Sequence, residues 1–164
     1  MVNIEERVEK AVSLFKEGYN CSQSVVAAYA DVYGSTFEQS LKMSASFGAG
    51  IGRMRETCGA ACGMLLLAGL ETGCTDPKSV SGKGYNYDVV QQLAAEFKKV
   101  NGTLVCAELL GLKPVSGAEQ PVTGVGSPTT PQKRTSEYYK KRPCSEMVAT
   151  AARIFGECLQ NIKK

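Results

Sequence analysis

Seven cysteines and no histidine set the chemistry open to this chain. Without histidine there is no Ser-His or Cys-His nucleophile pair, no His-ligated zinc and no CxxCH haem attachment. The thiols themselves can be nucleophiles, disulfide partners or soft metal ligands, each acting as the thiolate. Cys21, Cys58 and Cys144 each fall in the first turn of a helix that the sequence predicts. There, unpaired N–H groups and the helix dipole favour a thiolate or an anionic cluster and lower a thiol pKa. Cysteine is also a small buried hydrophobe; packing explains one such position better than it explains three. Cys62 follows Cys58 by one turn on the same face and could join it as an auxiliary ligand. Cys158 lies fourteen residues after Cys144 on one helix. That is about 21 Å along the axis, so those two cannot share a site. Cys74 reads as a loop thiol and Cys158 as a core or surface thiol.

The stretch ETCGAACGMLLLAGL, Glu56 to Leu70, opens an apolar helix with thiols and small residues. Gly59 and Gly63 each cost about 1 kcal/mol of helix propensity relative to alanine. In return, another backbone or a bulky inorganic group can come close to the start of this helix. The preceding GAGIGR has no strand before it and lacks the full GxGxxG spacing, so it reads as a turn between helices rather than a nucleotide loop.

The elements that must position these thiols are helical. Ile4, Val8, Ala11, Val12 and Phe15 recur at helical spacing, with Gly18 as the left-handed cap. Asn20 fits an N-cap with Gln23 as its capping-box partner, which makes Cys21 the first residue of a helix that stops at Gly34. A shorter helix is expected over Phe37 to Phe47 and an apolar one over Cys58 to Thr72. A further helix is expected over Asn86 to Val100, then a helical turn in TLVCAELLG. Residues Leu112 to Arg142 hold or adjoin five of the six prolines and read as a long irregular loop. Pro143 suits the first position of the last helix, whose stripe is Met147, Val148, Ala151, Ile154 and Phe155. No strand alternation stands out, so residues 1–164 are expected to form one all-α domain of about six helices with that loop before the last.

A length of 164 residues suits one domain. The net charge of +3 is small for a nucleic-acid binder, and the basic cluster Lys133, Arg134, Lys140, Lys141 and Arg142 reads as a solvated segment. The longest apolar run, Met64 to Ala68, is too short to span a bilayer, so no membrane partner is expected. The N-terminus MVNIEERVEK lacks the features of a secretory signal, which makes the cytoplasm the expected compartment. Seven cysteines in a reducing compartment do not suggest a disulfide framework, and an odd count cannot all pair within one chain.

FGAGIGR followed by ETCGAACG, with single cysteines in NCSQ, TLVCAELLG and RPCSEMV, resembles the redox-active family labelled C-GCAxxG-C-C over nearly the whole chain. The family motif is read here as Cys58, Gly59, Ala60, two free positions and Gly63. Carried over residue by residue, the resemblance implies that the four family cysteines are Cys21, Cys58, Cys106 and Cys144. Cys62 occupies a free position of the motif, and Cys74 and Cys158 are extra. A related region of split-Soret cytochromes is associated with an iron–sulfur centre beside the haems. This chain has neither histidine nor CxxC, so no haem is expected. Those relatives assemble as dimers, and a homodimer is the assembly the resemblance implies.

The leading expectation is that the four thiolates converge on one redox-active centre, a [2Fe–2S] cluster serving electron transfer or redox sensing with an unknown redox partner. Three alternatives stand beside it: a metal-free thiol/disulfide oxidoreductase with Cys58 as the redox thiol, a structural zinc site of four cysteines, and a helical interaction module whose cysteines pack. Whether the protein is an enzyme stays open.

Overall fold

Amphipathic periodicity builds the scaffold. In the computed structural model, which describes residues 1–112 and 128–162, α1 (Ile4–Glu17) turns Val8, Ala11, Leu14 and Phe15 inward. Gly18, at φ 111°, closes it by donating to the carbonyls of Leu14 and Phe15. The expected capping box opens α2 (Cys21–Ala28): the Gln23 amide donates to Asn20 Oδ1, and the Asn20 amide to Gln23 Oε1. This helix ends earlier than expected, and a 3-10 turn over Ala30–Tyr33 carries the chain to Gly34. α3 (Phe37–Ser44) passes into a second 3-10 turn, Ala45–Phe47, so the expected Phe37 to Phe47 helix is two pieces.

α4 (Gly59–Thr72) starts one residue later than expected, which makes Cys58 its N-cap. α5 (Val80–Asn101) starts six residues earlier than Asn86, capped by Ser79. Gly82 and Gly84 are poor helix formers and hide that start in the sequence. After α6 (Cys106–Leu109), α7 (Ser136–Lys141) lies inside the stretch expected to be irregular, capped by Thr135. Residues 113–127 of that stretch lie outside the described residues. α8 (Cys144–Ile162) follows Pro143 directly. Among the described residues there are thus eight α-helices and no sheet, which is the all-α class the sequence predicts with a somewhat larger count. None of these helices is long and apolar enough to cross a membrane.

The core gathers α1, α2, α4 and α8, with Val89, Leu93 and Phe97 added from α5. Tyr29, fully buried, donates to the Ala152 carbonyl at 2.7 Å and meets the Phe155 ring edge-on at 5.0 Å. α2 and α4 approach so closely that a Cβ at Gly63 would stand 2.9 Å from the Ser22 carbonyl oxygen. This contact explains why a glycine stands inside a buried helix. It brings the starts of α2 and α4, and therefore Cys21 and Cys58, to the same end of the bundle.

Candidate functional site

Each of the four family cysteines stands at a helix start: Cys21 first in α2, Cys58 at the cap of α4, Cys106 first in α6 and Cys144 first in α8. Backbone hydrogen bonds tie two of these starts together. Thr57 and Val105 form an antiparallel bridge, the Cys58 amide donates to the Leu104 carbonyl at 2.7 Å, and the Cys106 amide to the Glu56 carbonyl at 2.6 Å. Glycine lets the remaining pieces close in. A Cβ at Gly59 would lie 2.7 Å from the Phe47 carbonyl oxygen and 3.3 Å from Cys21 Sγ, and one at Gly50 would lie 2.6 Å from the Cys106 Cβ. All four cysteines line one small cavity of about 50 Å³, together with Arg55, Leu109, Leu110, Arg134, Tyr138 and Met147.

Burial governs the thiols. It pushes Cys144 up to about 12, and the charges of Cys21 and Cys106 add to the effect. Cys58 is raised further by burial and then by Cys21. The Ala61 and Ala60 amides favour its thiolate but are outweighed, and no side-chain hydrogen bond closes the helix cap. Cys106 is raised by burial although Arg55 Nη1 lies 3.9 Å from its sulfur and favours the charge. The expectation that a helix start lowers the pKa is therefore reversed at Cys58 and Cys144. Loss of water around a thiolate costs more than a helix terminus returns.

The donor set suits a thiolate-bound, positively charged metal centre: four thiols face one space, with the guanidinium groups of Arg55 and Arg134 in its wall. A metal supplies the charge that a buried thiolate needs. Among the described residues, no three thiol or carboxylate groups stand as a ready-made metal cage. The fit thus rests on the donor types and their shared cavity.

The other cysteines fall elsewhere. Cys62 does not line the cavity; its thiol donates to the Thr57 carbonyl at 3.7 Å, and burial pushes its pKa up to about 11. Cys74 is exposed beside Asp76. Cys158 lies on a groove between α5 and α8, separate from Cys144 as helix geometry requires. Two arginines of the supposed solvated segment are not free surface. Arg134 lies 4.3 Å over the Phe15 ring and 5.0 Å over Tyr138, and donates to the carbonyls of Phe15 and Tyr19. Arg142 stacks on Tyr138 at 4.9 Å, whereas Lys133, Lys140 and Lys141 are exposed as expected. Tyr138 and Tyr139, next to the basic residues, were the signal that could have separated the arginines from the lysines.

No curated protein and no solved structure matches the chain significantly. The family model described as "Putative redox-active protein (C_GCAxxG_C_C)" matches residues 19–158. That span contains all four cavity cysteines, and the chain belongs to this redox-active, cysteine-bearing family.

Proposed function

We propose that Cys21, Cys58, Cys106 and Cys144 hold an iron–sulfur cluster of the [2Fe–2S] type, and that the protein serves electron transfer or redox sensing. The observation that carries this reading is the meeting of four thiols, from four helix starts, in one cavity. Four cysteine thiolates are the ligand set of such clusters, and a cavity of about 50 Å³ favours the smaller type. When bound, the cluster supplies reversible one-electron transfer. The chain's own residues hold the ligands and set their surroundings. Leu109, Leu110 and Met147 make part of the wall apolar, while Arg55 and Arg134 place positive charge beside the thiolates. Those charges and the helix starts stabilise a reduced, more negative centre, which raises its potential.

Metal-free dithiol exchange is a weaker reading, because burial holds the Cys58 and Cys144 thiols protonated at neutral pH. The test is an ultraviolet-visible spectrum with iron, sulfide and zinc analysis on protein purified without oxygen. Matching iron and sulfide, lost in Cys58→Ser, is the expected result. Zinc without sulfide, a protein that stays colourless after reconstitution, or a full unaltered cluster spectrum in Cys58→Ser would refute the assignment.

A further inference from the structure

Beside the thiols lies a larger cavity of about 300 Å³ that shares Asn20, Ala49, Arg55, Arg134 and Tyr138 with the first. Four guanidinium groups line it, from Arg53, Arg55, Arg134 and Arg142, and its described lining residues include no carboxylate. Four fixed positive charges around one space exceed the net charge of the whole chain, +3. Arginine cannot shed its charge near neutral pH. Arg53 is only 6% exposed, and burial, then Arg55 and Arg142, hold its pKa below the usual arginine value. Like charges collected in a partly closed site are costly unless negative charge sits among them.

The backbone carries a second, independent sign. Ala49, Gly50, Ile51, Gly52 and Arg53 have φ of 55°, 75°, 63°, 58° and 68°, and Arg55 has 63°. Left-handed residues normally occur singly, and each non-glycine one costs roughly 1–2 kcal/mol. A β-branched residue such as Ile51 is a marked outlier there. Strain of this kind persists only where the surroundings impose it, and it collects at ligand sites. The outcome of this strained turn is that Arg53 and Arg55 both reach the cavity. On the opposite wall, Arg134 and Arg142 are held in place by the Tyr138 ring. Arg134 is further held by the Phe15 and Tyr19 carbonyls, and Arg142 donates to Gln132.

We propose that this arginine-lined cavity binds a tetrahedral oxyanion group carrying two negative charges, of the phosphate or sulfate type, next to the thiol site. Guanidinium forks match such oxygens in pairs, and the volume is at the lower end of small-molecule sites. The site does not depend on the iron–sulfur reading. Arg53 and Arg142 line this cavity and not the thiol cavity, so neutralising the charge of a cysteine-bound centre is not the reason for their position.

The experiment is calorimetric titration of the full chain, reduced and metal-free, at low ionic strength. The probes are inorganic phosphate and phenyl phosphate, with acetate as the singly charged comparison. Saturable binding of one phosphate group per chain is expected, weakened about tenfold or more in Arg142→Gln and in Arg53→Gln. Arg153→Gln, whose side chain pairs with Glu5 on a different surface, should bind as the parent does. Tighter binding of phenyl phosphate would assign the oxyanion to a larger ligand; tighter binding of inorganic phosphate would assign it to a free ion. Circular dichroism establishes that each variant folds, and Arg142→Gln decides alone if the buried Arg53 does not tolerate change. Absence of saturable binding, equal binding of acetate, or equal losses in Arg142→Gln and Arg153→Gln would overturn the proposal.

Discussion

Gly50→Ala concentrates the structural argument in one methyl group. Gly50 sits at φ 75°, and the added Cβ would stand 2.6 Å from the Cys106 Cβ and 2.7 Å from the Arg55 Cα. The left-handed conformation costs an alanine roughly 1–2 kcal/mol. Neither neighbour is the free end of a flexible side chain, so the backbone itself must shift, at a further cost of about 1–3 kcal/mol. Together these terms predict a loss of roughly 2–5 kcal/mol. Gly84→Ala is the matched control, because Gly84 lies inside α5 with nothing within 4 Å of its Cβ position. Helix propensity there predicts a gain of about 1 kcal/mol. Urea denaturation of both variants in the reduced protein reads the difference; at the usual slope Gly50→Ala should lower the midpoint by roughly 1 M or more. A Gly50→Ala midpoint equal to or above that of the parent would refute the close packing of the glycine-rich turn against Cys106.

Two further outcomes follow from burial. In the native, metal-free protein, an alkylating reagent followed by mass spectrometry should mark Cys74 first, since it is exposed while Cys58, Cys62 and Cys106 are buried. Equal rates at Cys58 and Cys74 would count against the closed cavity. Burial raises the pKa of Tyr29 above its usual value, and burial together with the hydrogen bond to Glu71 does so for Tyr33. The folded state therefore holds protons that the unfolded chain releases near pH 10. The stability linked to these phenols is fully present below about pH 10 and falls as pH rises beyond it. Urea midpoints that stay flat across that range in the parent, or that fall just as steeply in Tyr29→Phe, would contradict this account.

Much of the scaffold was legible because helices are local objects. The Asn20 and Gln23 capping box, the Gly18 cap and the stripes of α1 and α8 follow from residues within a few positions of one another. What local pattern hid were the early start of α5, masked by Gly82 and Gly84, and α7, which stands near prolines and carries no buried residue. The role of Cys106 was readable only from family resemblance, since a single thiol in a four-residue helix has no periodic signature.

The sequence by itself determined the all-α class, the exclusion of histidine chemistry and the placing of the family cysteines at helix starts. The tertiary structure alone decided that these starts share one cavity, because the contacts that join them, Thr57 with Val105 and Gly63 with Ser22, link residues far apart along the chain. It also decided the sign of the thiol shifts at Cys58 and Cys144. A helix terminus is a local property, whereas burial depends on everything packed around it, and at this site burial is the larger of the two.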